Sequence, residues 1–248
     1  MPNSILFIAA SLSLFIPLAP VDPTPRAAPA DKPLQVNDVV YVHASSSLTL
    51  RKTPSKDGLK IASVPANGTP LTVVALPEPG SAYIAETIGT FAVKGGWVVV
   101  KTQAGQEGYL FDGYLSRYKP LQREKMDGSV SLMDAFYRTI SPVKGKRTSL
   151  PATNGTIERY QYFYADGARF EEQYYEGGAT QILELPKDKF TMQEVLVLFR
   201  TAWFGKEKTK GSYDAAKQQL TIDGDGGYSQ LIIQPKGNRW MLKFSTAD

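Results

Sequence analysis

From Val36 to Leu115 the chain is cut into short apolar or β-branched runs, each closed by a turn signal, with no long helical period between them. Val39–Val42 is followed by the Ser45–Ser47 break, and Leu48 and Leu50 then alternate with Thr49 and Arg51 as in a half-buried strand. Pro54, Asp57 and Gly58 mark a turn into Lys60–Val64, and Asn67-Gly68 turns the chain into Leu71–Leu76. Trp97–Lys101 follows, and Gly105–Gly108 leads into Tyr109–Phe111. Short strands at this spacing bury a core only by curling into a small β-barrel or stacking as a sandwich.

Four of these segments, in order, resemble the bacterial SH3 (SH3b) domain family. Leu48-Thr49-Leu50-Arg51 with Pro54 is similar to the family's opening strand, and Asn67-Gly68 before Leu71–Val74 to its central step. Trp97–Val100 is similar to its tryptophan strand, and Gly108-Tyr109 through Tyr114-Leu115 to its closing segment. The resemblance covers about a third of the chain and implies an SH3-like β-barrel over 36–119. It also implies a ligand, a peptide of the cell wall (peptidoglycan) or another envelope protein. The groove for that peptide would be lined by Trp97, Tyr109 and Tyr114, with Arg51 to hold a carboxylate and Tyr83 from the adjoining loop. The same aromatic residues can instead close the barrel. Gly108 reads as a tight backbone approach or a positive φ.

The chain departs from the family between Pro77 and Gly96, where a typical member has a short connection. Tyr83, Ile84, Ile88, Phe91 and Val93 make this stretch apolar enough for an extra hairpin, or for a variant of the barrel's own strands. Inserted loops on a rigid scaffold are common carriers of binding function.

Before the barrel, Ile5–Leu18 is apolar and uncharged, and Pro17 ends any helix there. It is too short to span a bilayer and matches the core of a secretory signal. Pro20, Pro23, Pro25, Pro29 and Pro33 then extend the leader. Residues 1–30 are thus expected to be an export signal and Pro-rich leader, cleaved near Ala19 or after Ala28-Pro29-Ala30. That places the protein in the periplasm or on the cell surface, with no membrane span once the signal is removed.

After the charged stretch 119–128, residues 125–248 read as an α+β domain, an antiparallel sheet with a packed helix. Ser131 and Asp134 have capping spacing before the apolar offsets Leu132, Ala135, Phe136 and Ile140, and Pro142 stops that helix. Residues 144–155 read as a basic, turn-rich loop. Tyr160, Tyr162 and Tyr164 alternate onto one face of a strand, Asp166-Gly167 and Gly177-Gly178 turn, and strands return on either side. The clearest helix begins at Thr191, whose spacing to Glu194 makes a capping box and whose flanks Phe190 and Val195 make a hydrophobic staple. Gly205 ends it, and Lys206, Lys208 and Lys210 follow, complementing the helix dipole. A meander over Gln219–Asp223, Tyr228–Gln234 and Arg239–Phe244 completes the domain.

Chemistry is sparse. There is no cysteine, which removes disulfides, thiolate metal sites, lipid-bearing cysteines and cysteine nucleophiles, including the peptidase activity that often accompanies SH3b domains. A single histidine, His43, supplies neither a zinc set nor a triad, and no GxSxG elbow occurs. Asp223–Gly227 lacks the carboxylates of a calcium loop and reads as a hairpin turn. Glu171 and Glu172 point to opposite faces of one strand. The net charge of +4 is spread along the chain, so nucleic acid is not an expected partner. The resulting expectation is an exported, non-enzymatic envelope protein that binds or scaffolds through its barrel and uses no cofactor. The alternatives are a carboxylate-dependent hydrolase, or a small-ligand carrier with a cavity beneath Tyr160–Tyr164, in the C-terminal domain.

Overall fold

A computed structural model describes residues 33–121, 131–144, 148–150, 158–205 and 207–247. The expected leader over 1–30, the greater part of the 119–128 boundary and much of the 144–155 loop lie outside the described residues. The protein is mainly β: strand makes up 49% of it, and the described residues hold two α-helices. No helix among the described residues is long and apolar enough to cross a membrane.

The first half contains β1 (Val39–Val42), β2 (Ser47–Arg51), β3 (Lys60–Pro65), β4 (Leu71–Ala75), β5 (Tyr83–Ile88), β6 (Phe91–Gly95), β7 (Trp97–Lys101), β8 (Glu107–Phe111), a 3-10 turn at Asp112–Tyr114 and β9 (Leu115–Ser116). Seven of these form one antiparallel sheet in the order β3–β2–β8–β7–β4–β1–β9. Alternation decides its two faces. Val40, Val42, Leu50, Val73, Val98, Val100 and Leu110 point one way and are at most 1% exposed. Their cluster draws its members from this sheet and its loops alone. A flat sheet could not bury them, so this one curls over its own apolar face.

The curl does not become a closed barrel. β3 and β9 are the two edges and do not pair with each other. The reason is local: β9 has two residues, and a bulge at Leu50/Arg51 shifts the register between β2 and β3. Gly108 does permit a close approach, since a Cβ there would lie 2.8 Å from the Arg51 carbonyl oxygen.

The second half contains α1 (Leu132–Ile140), β10 (Thr148–Leu150), β11 (Glu158–Phe163), β12 (Arg169–Tyr175), β13 (Gly178–Pro186), α2 (Met192–Phe204), β14 (Lys210–Asp214), β15 (Gln219–Asp223), a 3-10 turn at Asp225–Gly227, β16 (Ser229–Lys236) and β17 (Arg239–Ala247). Its eight strands run antiparallel in the order β10–β11–β12–β13–β17–β16–β15–β14. Both helices pack on one face, where Phe136 meets Phe199 at 5.2 Å and Tyr137 meets Tyr164 at 4.7 Å between ring centres. The α+β expectation agrees with this arrangement, with two additions. Thr148–Leu150, inside the expected loop, pairs with β11, and Lys210, read with Lys206 and Lys208 as charge past the helix end, opens an edge strand over Lys210–Asp214.

Residues 77–96 resolve into the extra hairpin. β5 and β6 pair only with each other, and their apolar side is buried in the second half rather than in the first sheet. Ile88 and Val93 are 6% and 0% exposed within the core that α1, α2 and the second sheet share. The fit is close: a Cβ on Gly211 would lie 2.6 Å from Ile88 Cγ2. The insertion is therefore the element that fastens the two sheets together.

Candidate functional site

The hairpin meets α2 through polar groups at both ends. Arg200 donates to both Glu86 carboxylate oxygens at 2.5 and 3.0 Å, and the Tyr114 hydroxyl donates to Glu86 Oε2 at 2.6 Å. Burial alone would raise Glu86, but the Arg200 and Tyr114 donors hold it below the ordinary carboxylate range. Burial and the neighbouring carboxylate push the Tyr114 hydroxyl well above its usual value. At the other end of α2, Gln193 accepts from the Lys94 N–H at 2.9 Å and donates to the Lys94 carbonyl at 2.6 Å, continuing β6 as an extra strand residue would.

Between these fastenings a cavity of about 360 Å³ opens at the seam. One wall is the segment after β8, with Asp112, Gly113, Leu115, Ser116, Arg117 and Tyr118; the other is the first half of α2, with Thr191, Gln193, Glu194, Val197 and Leu198. Lys94 and the Pro33–Leu34 entry segment complete it. The expected capping box fixes the α2 wall: Thr191 Oγ1 accepts from the Glu194 N–H, and Glu194 Oε2 accepts from the Thr191 N–H at 2.8 Å. The other wall is tied to β1 by Arg117, which donates to Asp38 at 2.7 Å and to the Pro33 carbonyl at 2.7 Å. Asp112 Oδ1 accepts the Gly96 N–H at 2.6 Å; burial outweighs that donor and raises its carboxyl above the usual range. Further along the seam, the Ala44–Ser46 loop and the end of α2 enclose a second cleft of about 530 Å³.

The five residues expected to bind ligand do not converge on one groove. Trp97, Tyr83 and Tyr114 join Phe111 in an aromatic cluster, with Tyr83 at 6.0 Å from Trp97 and 5.6 Å from Phe111, and Phe111 at 5.5 Å from Tyr114. Trp97 is 8% and Phe111 5% exposed, so this cluster is a packed support for the hairpin. Arg51 and Tyr109 sit opposite each other on β2 and β8, on the face away from the first core. The Arg51 guanidinium is bound to the Gly58 carbonyl at 2.8 Å. Reasoning from sequence missed Phe111, Glu86, Arg200, Lys94, Asp112 and Gln193. Only Phe111 had a local signal, since it alternates with Tyr109 along one strand face.

His43 is 1% exposed and lies opposite the Val40–Val42 face, at the seam. Its Nε2 is 2.7 Å from the Tyr118 carbonyl, and its Nδ1 is buried with no partner among the described residues. Burial lowers its pKa to about 4, against the weaker effect of that carbonyl. A group so enclosed cannot reach a substrate.

In the second half, Glu171 and Glu172 face opposite ways: Glu171 pairs with Arg159 at 2.7 Å, and Glu172 is buried against Gln181. The region beneath Tyr160–Tyr164 is packed by α1, with Tyr164 donating to Asp134 at 2.6 Å and Arg138 stacked 5.0 Å from the Tyr162 ring. The Asp223–Gly227 segment is a turn, with Asp223 held by Gln230 at 2.8 Å. No group of three His, Asp or Glu side chains suited to a metal occurs among the described residues. Asp134 does not serve the expected cap: its carboxylate is engaged by Tyr164 and Arg138, and Ser131 Oγ is buried without a partner among the described residues. No family model matches this chain, and it has no match among curated proteins or solved structures.

Proposed function

We propose that this protein is an exported, non-enzymatic binding protein of the cell envelope, built on an SH3b-like first sheet, and that it takes a peptide at the seam cavity. The observation that carries this reading is where the Gly108–Leu115 closing segment lies. This segment, one of the four that resemble the SH3b family, runs straight into one wall of the cavity, and α2 supplies the other. A cavity between two structural units, mixing apolar walls with a few converging polar groups, is the usual form of a small-ligand site.

The non-enzymatic part is supported by what the candidate catalytic groups are doing. His43 is sealed in the seam, Glu194 caps its own helix, and Glu86 is committed to Arg200. A hydrolase needs groups free to take and give protons at a substrate. The carrier alternative needs space beneath Tyr160–Tyr164, where α1 is packed instead.

Co-sedimentation with purified peptidoglycan sacculi tests the proposal. Retention that is competed by soluble stem peptides is the expected result. Protein that stays in the supernatant, with no heat of binding to stem peptides, would overturn it. Sequencing the mature N-terminus of protein from the native host tests export; a retained Met1 counts against a cleaved signal.

A further inference from the structure

We infer that the seam cavity recognises a small zwitterion, the free ammonium and free carboxylate of one amino acid or short peptide, with Asp112 receiving the ammonium and Lys94 the carboxylate. This rests on the reading of the cavity as the ligand site and adds the ligand's chemical class. Four charged residues line the cavity, and two have their charges already committed. Arg117 is bound to Asp38, and Glu194 closes the α2 cap. The other two are not. Asp112 accepts the Gly96 N–H with Oδ1 and also its own backbone N–H, but it has no ion-pair partner among the described residues. Lys94 uses its backbone N–H and carbonyl on Gln193, and its ammonium has no ion-pair partner among the described residues.

Two charges of opposite sign thus line one cavity, and no Asp112–Lys94 ion pair occurs among the described residues. A ligand carrying both complementary charges satisfies both, whereas a simple anion or cation leaves one opposed. Burial raises the Asp112 carboxyl above its usual range, and an ammonium bound beside it would offset that loss of solvation. In the same cavity Leu115, Val197 and Leu198 present nonpolar lining, suited to a short aliphatic side chain rather than a further charge.

Calorimetry on the full chain tests this with dialanine, alanine, N-acetyl-dialanine and dialanine amide. Dialanine is expected to bind, and removing either charge to weaken it at least tenfold. Alanine separates a free amino acid from a peptide: tighter binding of alanine assigns the former, tighter binding of dialanine the latter. Asp112→Asn keeps an acceptor for Gly96 and should erase the difference between dialanine and its N-acetyl form. Lys94→Gln should likewise erase the difference between dialanine and its amide. Equal binding of all three peptides overturns the zwitterion while leaving a peptide site. Sacculus retention with no binding of any small probe also overturns this inference alone; loss of both overturns the reading beneath it. If Asp112→Asn melts early, Lys94→Gln on the exposed rim decides the matter.

Discussion

Acidification should loosen this fold well before its carboxylates protonate, and His43 is the reason. The imidazole is 1% exposed, its Nε2 faces the Tyr118 carbonyl, and its Nδ1 has no partner among the described residues to receive a second proton. Its folded pKa is about 4, against 6.5 when exposed. Above pH 6.5 both states hold the neutral ring and stability is fully present. Between pH 6.5 and 4 only the unfolded chain takes the proton, so stability falls as the pH falls, by up to about 1.4 kcal/mol per unit. From pH 7.5 to 5.0 the loss is about 2 kcal/mol, and over the whole window on the order of 3 kcal/mol. Glu86 and Glu171, held low by their arginines, lose their contribution only at more acid pH, and Asp112, raised by burial, acts in the opposite sense. Urea denaturation followed by tryptophan fluorescence at both pH values gives the wild-type loss. His43→Gln, which can keep an amide donor on Tyr118 but does not titrate, should lose about 2 kcal/mol less over the same interval. Equal losses in the two proteins would refute the assignment to His43.

Other outcomes follow from the fastening of the hairpin. A double-mutant cycle on Glu86→Ala and Arg200→Ala should give a coupling of about 1–2 kcal/mol, because the pair is bidentate and only partly exposed; additive single effects would mean that the pair adds nothing. Gly211→Val should cost about 1–3 kcal/mol through the clash with Ile88 and speed proteolysis at residues 77–96; an unchanged cleavage rate would place the hairpin's anchorage elsewhere. Thr191→Ala should cost about 1 kcal/mol by removing the α2 cap, read as a shift of the urea midpoint. Phe199→Ala, at the meeting of α1 and α2, should cost about 3–5 kcal/mol, and a loss below about 1 kcal/mol would contradict the packing of the two helices.

What could be read from the sequence is what neighbouring residues decide among themselves. Thr191 and Glu194 are three apart and meet within one helical turn, so their spacing alone announces the α2 start. The strands with alternating apolar residues were equally legible. β14 was not, because Lys210–Asp214 is a polar edge with one half-buried residue and so carries no alternation. The Ser131–Asp134 spacing misled for a tertiary reason, since Tyr164, thirty residues on, takes the carboxylate. The candidate site was least legible of all. Lys94 and Gln193 are 99 residues apart, and Glu86 and Arg200 are 114 apart. No periodicity in either stretch records which surfaces will meet. Trp97, Tyr83 and Tyr114, which suggested a groove, pack with Phe111 beneath the hairpin, because a ring can serve either purpose until its neighbours are known.

In the proposal above, the ligand site belongs to the seam, with the segment after β8 on one side and α2 on the other. Amide chemical-shift mapping of the full chain with a peptidoglycan stem peptide tests it most directly. The account predicts saturable shifts on both walls in one titration, at Lys94, Asp112 and Gly113 on one side and Gln193 and Val197 on the other. Shifts confined to the Arg51–Tyr109 row, or none at saturating peptide, would contradict it.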